Sequence, residues 1–268
     1  MARSRKAVWA AAVGVGLLVT VTGCGGSGTA AATKTEDSQL LGQKLGAMVS
    51  QVDKMGVIEW HGQLLTKNPD KGGKMIVGID GRYSPSTGYS ELSLRQQRGG
   101  SDEQVDYLVI NDRTYFNSDL WGPNSADCWS EITSDLERSW ALPTDFDPRW
   151  PFPAARAIEA DGDDVSVAIG FKAVKPGLPR GLVPALANVP YDTEASAFFA
   201  PHGPLVEVGV DLNSMWRKLP KGQRNNVDTR DAGWWTMTLQ ASQDGSGIVP
   251  PKYIFDNKVT PPSQCKRG

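Results

Sequence analysis

Reactive and metal-binding side chains are scarce in this chain of 268 residues. It contains three cysteines and two histidines, His61 and His202. The cysteines at positions 24, 128 and 265 do not have the spacing of a metal site. No basic run alternates with aromatic residues, and the formal net charge is −2, so nucleic acid is not an expected partner. The sequence predicts no metal and no other cofactor.

Recognisable catalytic motifs are also missing. Gly-Ser-Gly at residues 245–247 lacks the rest of a nucleophile elbow, and Ser-x-x-Lys at 263–266 lies at the chain end instead of opening a buried helix. Residues 161–164 (DGDD) lack the alternating ligands and distal glutamate of a calcium loop, so a solvated turn is predicted. His61 is expected on the surface and Asp147 in a polar loop. We therefore expect no enzymatic activity, although a site without a known motif is left open.

Long hydrophobic runs are limited to the N-terminus. Residues 7–21 are apolar, follow Arg3, Arg5 and Lys6, and are too few for the usual membrane span. The following Val-Thr-Gly-Cys sequence resembles the lipobox of bacterial lipoproteins, in which the cysteine receives a diacylglyceryl group and becomes the N-terminus. The resemblance implies a signal peptide over 1–23, lipidation at Cys24 and anchoring on the extracytoplasmic face of the cell membrane. A secretory signal with an incidental cysteine is the alternative.

The remaining chain is predicted to be a tethered domain. Residues 24–35 are rich in glycine, alanine and serine and are expected to be a flexible tether. Residues 36–268 have the length of a single globular domain. Without residues 1–23 the chain keeps 25 basic and 30 acidic residues, a net charge near −5.

The domain combines one helix with many short strands, which indicates an α+β fold. Residues 36–53 have apolar positions at helical spacing. Alternating or apolar segments predict strands at 57–65, 74–79, 89–96, 104–110, 113–117, 165–171, 195–199, 205–212, 235–240 and 252–255. Asn111-Asp112 is typical of a tight hairpin turn. Short helices are expected at 131–139 and 154–160, with a helical turn at 214–219.

This order of elements resembles the LppX/LprG group of actinobacterial lipoproteins, which are related in fold to LolA carriers. The stretch DYLVINDRTY at 106–115, followed by Trp121 and Trp129, carries most of the likeness. The resemblance implies a curved antiparallel sheet, a half-barrel of about 9–11 strands covered by the N-terminal helix and short helices. It also implies an apolar cavity between sheet and helices that holds a lipid or another apolar ligand.

Strand alternation supplies the residues that would line such a cleft. Each of the first two strands places three apolar side chains on one face, and one of the adjacent residues Trp234 and Trp235 must face the same way. The candidates are Ile58, Trp60, Leu64, Met75, Val77, Ile79 and Trp235. A packed core would use the same residues, so alternation leaves cleft and core both open.

Two further expectations follow from export. Cys128 and Cys265 form an even pair in an oxidising compartment, so a disulfide is predicted, with two free thiols as the alternative.

The leading functional hypothesis is an anchored protein that binds or carries a lipid. The alternative is an anchored module that docks another envelope protein and holds no ligand.

Overall fold

The computed structural model describes residues 29–68, 71–98, 101–118, 129–132, 146–178, 189–224, 233–243, 246–251 and 254–255. The chain divides into two compact units, Met1–Asp37 and Ser38–Gly268. The second unit contains all the strands described below. The predicted signal peptide, the lipidation site Cys24 and the predicted Cys128–Cys265 disulfide lie outside the described residues.

Twelve strands and five α-helices follow one another along the described chain. The strands are β1 Ile58–Leu65, β2 Met75–Ser84, β3 Tyr89–Arg98, β4 Ser101–Ile110, β5 Arg113–Ser118, β6 Trp129–Glu131, β7 Ala155–Asp161, β8 Asp164–Gly170, β9 Glu194–His202, β10 Leu205–Asp211, β11 Trp234–Ala241 and β12 Ile254–Phe255. The helices are α1 Thr29–Asp53, α2 Pro151–Ala154, α3 Phe171–Val174, α4 Leu212–Lys218 and α5 Lys221–Arg224. A 3₁₀ turn, Lys175–Gly177, extends α3.

All the strands belong to one sheet, which confirms the predicted fold class. The order is β12-β6-β5-β4-β3-β2-β1-β11-β10-β9-β8-β7, and every neighbouring pair is antiparallel except β6 and β12. The first and last strands of this order are different edges, so the curved sheet does not close into a barrel. The twelve strands exceed the predicted 9–11 because β6 and β7 were not anticipated as strands.

Two predictions about the helices were wrong. Residues 154–160 were expected to be helical, but β7 occupies most of them and pairs with β8, because edge pairing overrides the weak local preference. The helix α1 begins at Thr29, so residues 29–35 are helical where a flexible tether was expected. Consecutive alanines at 30–32, the best helix formers, account for the earlier start.

Short turns connect the antiparallel strands where the sequence indicated them. Asn111 and Asp112 have φ values of 50° and 62°, the left-handed geometry that a tight hairpin requires, and this confirms the predicted turn between β4 and β5. The 161–164 segment forms the predicted turn between β7 and β8, with Gly162 at φ 59°. The helix α4 confirms the helical turn expected at 214–219.

The main hydrophobic core lies between one face of the sheet and the helices. Met48 and Val52 of α1 and Leu212 and Met215 of α4 are buried in the same cluster as the alternating residues of the strands. The helix α1 is tied to two hairpin turns, because Lys44 donates a hydrogen bond to the Gly162 carbonyl and Gln51 donates one to the Gly203 carbonyl at 2.9 Å. We refer to this covered side of the sheet as the helix face and to the other side as the polar face.

Met75 does not lie on the helix face, which corrects the prediction. Leu64 pairs with Val77 and Leu65 pairs with Met75, so Ile76 is an extra residue in a β-bulge. The bulge turns Ile76 toward the core cluster and leaves Met75 44% exposed beside Gly78. Hydrophobic alternation alone could not reveal this shift, because both registers place an apolar residue inward.

Candidate functional site

A cavity of about 380 Å³ lies on the helix face, between α1 and the segment that leads into α2. Helix α1 contributes Val49, Val52 and Asp53 to its wall. The opposite wall consists of Asp147, Arg149, Trp150, Phe152 and Pro153. The walls are therefore mostly apolar. Three charged residues, Asp53, Asp147 and Arg149, also line the cavity. Its size is within the range of small-molecule sites, about 300–1,000 Å³.

Local hydrogen bonds and prolines shape the wall at residues 146–153. The Asp147 carboxylate accepts from the Arg149 backbone N–H at 2.8 Å, and the Asp147 carbonyl accepts from the Trp150 N–H at 3.0 Å. Pro151 opens α2, where its missing N–H is not needed. The next residue, Phe152, is buried and packs against Phe199 of β9 with ring centroids 4.7 Å apart. These contacts fasten the wall to the sheet.

Trp150 is held by a close approach to a glycine. A Cβ atom at Gly177 would lie 2.1 Å from the Trp150 ring, so only glycine leaves room for the indole there. The 3₁₀ turn that contains Gly177 therefore supports the cavity wall from behind. The indole nitrogens of Trp60, Trp150 and Trp235 are buried and have no hydrogen-bond partner in the described part of the chain. Such donors are uncommon because each one forgoes its bond to water.

Arg149 organises the charges beside the cavity. Its guanidinium binds the Asp147 carboxylate through Nη2 at 2.6 Å and Nε at 3.0 Å, and Nη1 lies 3.6 Å from Asp53 of α1. The hydrogen bond to Asp147 raises the pKa of Arg149 further above its usual value. The guanidinium also lies 5.8 Å from the centroid of the Tyr83 ring. Burial, reinforced by Asp147, raises the pKa of the Tyr83 phenol. The cation is thus permanent, and its neighbour Tyr83 is neutral at physiological pH.

Six of the seven predicted cleft residues lie in the closely packed core. Ile58, Leu64, Val77, Ile79 and Trp235 are fully buried, and Trp60 is nearly so. Trp60 contacts Phe146 with ring centroids 5.0 Å apart, and Gly62 and Gly81 leave space for the Trp60 and Trp235 rings. Met75 is the exception described above. These side chains form the floor of the helix face, and the cavity residues differ from them.

The cavity wall has a recognisable pattern in the sequence, but it is not a pattern of alternating hydrophobic residues in strands. Trp-Pro-Phe-Pro at 150–153 follows Asp147 and Arg149, and the sequence alone predicts a solvated loop at Asp147. In the structure its carboxylate is bonded to Arg149 instead. Two aromatic residues between prolines beside an Asp-x-Arg pair indicate a rigid, part-buried segment rather than a free loop. Asp145 lies outside the described residues.

The polar face carries a second depression, of about 640 Å³, lined by residues of β1–β4, β6, β10 and β11. His61 Nδ1 lies 2.5 Å from Asp80 Oδ1, and His61 Nε2 lies 2.7 Å from the Gln63 amide nitrogen. His61 is partly exposed, close to the predicted surface position. The other histidine, His202, ends β9 and lies 3.3 Å from Glu207. The imidazole of each histidine is thus in contact with polar side chains on the same face of the sheet.

No group of three or more histidine, cysteine, aspartate or glutamate side chains in the described ranges is placed to hold a metal ion. Within the same ranges, no helix combines the length and the apolar character needed to cross a bilayer.

Comparison with known proteins gives a likeness in fold but none in sequence family. No family model matches the sequence, and no curated protein matches it. Among solved structures, the chain is similar to the crystal structure of LprF from Mycobacterium bovis, with 12% sequence identity and a TM-score of 0.46. The likeness covers 80% of this chain and 98% of that one. At this identity the likeness concerns the fold and does not identify a ligand.

Proposed function

We propose that this chain is a lipid-anchored protein of the cell envelope that binds an acyl chain or a similar apolar ligand in the cavity beneath α1. The observation that carries the proposal is the cavity itself, which has mostly apolar walls and room for a small molecule. Removing an acyl chain from water into such a site is favourable by roughly 0.8 kcal/mol for each methylene buried.

The charges beside the cavity favour a ligand that has a polar head. Arg149 Nη1 is held by a long 3.6 Å contact with Asp53, whose side chain is largely exposed. An anionic or hydroxyl-bearing head group can take the place of Asp53 at that nitrogen, while Asp147 keeps the guanidinium in position. We therefore infer an amphiphile, with its chain along Val49 and Phe152 and its head at Arg149.

The anchoring part of the proposal rests on the sequence around Cys24. The charged start, the apolar run and the Val-Thr-Gly-Cys sequence together favour lipidation at that cysteine. A diacylglyceryl group carries two chains, which is the number that stable membrane attachment requires. An anchored protein of this kind meets its lipid ligand at the membrane where it is attached.

Filling the cavity tests ligand binding. Val49 is partly buried and lines the cavity, so Val49→Trp should occupy the space that an acyl chain would use. Leu40→Trp is the matched control because Leu40 is 52% exposed on the same helix. The probe is cis-parinaric acid, a fatty acid that fluoresces when it enters an apolar site. We expect the wild type and Leu40→Trp to bind the probe and Val49→Trp to bind at least ten-fold more weakly, which corresponds to about 1.4 kcal/mol.

Thermal unfolding of both variants separates a blocked cavity from a damaged fold. Equal probe binding by Val49→Trp and Leu40→Trp, with both folded, would show that the ligand does not use this cavity. A wild type that binds no fatty acid would contradict the proposal and would favour the envelope interaction module instead.

A further inference from the structure

An apolar strip crosses the polar face at one end of the sheet. Leu65 of β1 pairs with Met75 on one side and with Trp234 of β11 on the other. The Trp234 ring lies 6.2 Å from the ring of Phe198 in β9. Leu65 is buried beneath this strip but belongs to neither hydrophobic core cluster. Met75 is 44% exposed, and Trp234 and Phe198 are half-buried, so the strip presents apolar surface to the outside.

Trp234 therefore has a different environment from its neighbour Trp235, which is fully buried on the helix face. Gly209 makes the aromatic pair possible, because a Cβ atom at this position would lie 2.1 Å from the Phe198 ring. The chain thus places two large aromatic side chains on the polar face, separate from the second hydrophobic cluster of that face, which contains Leu108, Ile110, Tyr115 and Ile248. Tryptophan in such half-exposed positions is typical of surfaces that meet the lipid–water interface.

Three exposed lysines lie at the same end of the sheet, in the loop that leads to Met75. The connection between β1 and β2 contains Lys67, Lys71 and Lys74, and Asp70 is its only acidic residue. All three lysines are exposed, and their ammonium groups make no ion pair or hydrogen bond with another described residue. The Lys74 backbone N–H donates to Thr66 Oγ1 at 3.1 Å. Lys74 directly precedes Met75, so a cation and an exposed apolar side chain are adjacent.

Among the described residues, exposed lysines predominate at this end of the sheet and exposed aspartates at the other. Asp192 is nevertheless exposed at the lysine-rich end, and Lys54 and Arg113 are exposed at the opposite end. Lys172 of α3 and Lys221 of α5 are also exposed at the lysine-rich end, because β8 and β10 both finish there. At the other end, the hairpin turns carry exposed Asp112, Asp161 and Asp163. An anionic surface would therefore attract one end of the molecule and repel the other, which fixes the orientation of the domain.

We propose that the strip formed by Met75, Trp234 and Phe198, together with the lysines at positions 67, 71 and 74, docks the domain onto an anionic lipid bilayer. Apolar side chains that enter the interface and lysines that remain at the head-group level are complementary to such a surface. Each lysine close to an anionic membrane strengthens binding by about five-fold. This surface lies on the polar face, so its docking does not depend on whether the cavity beneath α1 holds a ligand.

Vesicle flotation tests this docking without the covalent anchor. The protein is the chain from residue 24 onward with Cys24→Ser, so that no acyl group is attached. It should float with vesicles of phosphatidylcholine and phosphatidylglycerol, and not with phosphatidylcholine alone. Lys74→Gln should weaken binding about five-fold, and the triple substitution of Lys67, Lys71 and Lys74 by glutamine roughly a hundred-fold. Lys54→Gln is the matched control, since Lys54 is an exposed lysine at the opposite end.

A second variant tests the apolar strip. Met75→Ser keeps all charges, and because Met75 is exposed the domain should remain folded. We expect weaker flotation than for the wild type, and this difference should remain at high salt, where the lysine contribution is screened. Equal losses in Lys74→Gln and Lys54→Gln would overturn the proposal, because they would indicate only a response to net charge. Absence of flotation with anionic vesicles would also overturn it and would favour an acidic protein as the partner of this surface.

Discussion

At the residue scale, glycines determine how the large aromatic side chains pack on the helix face. Trp60 lies over Gly81 of the neighbouring strand, and a Cβ atom there would be 2.4 Å from the indole ring. The hydrophobic pattern predicted that Trp60 and Trp235 would face inward, which is confirmed by their burial. The glycines beneath them carry no such signal in the sequence, because their role depends on the pairing register between strands.

Gly81→Ala should destabilise the domain. The added methyl group must displace the Trp60 ring in a closely packed region, and overpacking of this kind typically costs about 1–3 kcal/mol. Gly170→Ala is the control, since its Cβ atom would meet nothing within 4 Å and its φ is −65°. Urea unfolding of the two variants measures the difference in free energy. Equal unfolding free energies would show that the space above Gly81 can adjust.

At the element scale, the strands were more predictable than the segments between them. The hairpin of β4 and β5 was identified from Asn111-Asp112, whose side chains tolerate the left-handed turn. The sequence of β7 predicts a helix, because Ala, Arg and Glu favour helices locally, and only pairing with β8 makes the segment extended. Bulges at Ile76 and Ile158 depend in the same way on contacts between strands.

The cavity wall at residues 146–153 could not be placed from the sequence for a similar reason. Its position depends on Asp53 of α1, on Phe199 of β9 and on Gly177, all distant along the chain. The turn formed by Asp147 and the prolines is local and was available to sequence analysis. The direction in which that turn faces depends on the distant contacts and could not be predicted from the sequence.

Arg149→Met should loosen this wall. The substitution keeps a long apolar side chain but leaves the Asp147 carboxylate without its cation in a part-buried site. Hydrogen bonds to charged groups contribute about 1.5–3 kcal/mol, so a loss of this order in unfolding free energy is expected. Arg113→Met is the control, because Arg113 is exposed and lies 3.8 Å from Glu131. That surface pair should contribute less than about 1 kcal/mol. A loss in Arg149→Met no larger than that in the control would contradict the assigned role.

At the scale of the whole molecule, the two faces of one sheet serve different purposes in our proposal. The helix face holds the packed core and the cavity, with Arg149 beside it. The polar face presents Met75 and Trp234 at one end, where the loop between β1 and β2 carries exposed lysines. Both proposed contacts involve lipid, one as a single bound molecule and the other as a surface. Lipidation at Cys24 and the Cys128–Cys265 disulfide stay predictions from the sequence.

Lipid extraction from the purified full-length protein tests the proposed ligand binding most directly. The protein is produced in a bacterium that processes lipoproteins, and non-covalently bound molecules are removed with organic solvent and identified by mass spectrometry. We predict about one amphiphile per chain in the wild type and in Leu40→Trp, because both keep the cavity open. The Val49→Trp protein should be folded and depleted of that molecule. Absence of any bound amphiphile from the wild type, or equal amounts in all three proteins, would contradict a ligand in the cavity beneath α1.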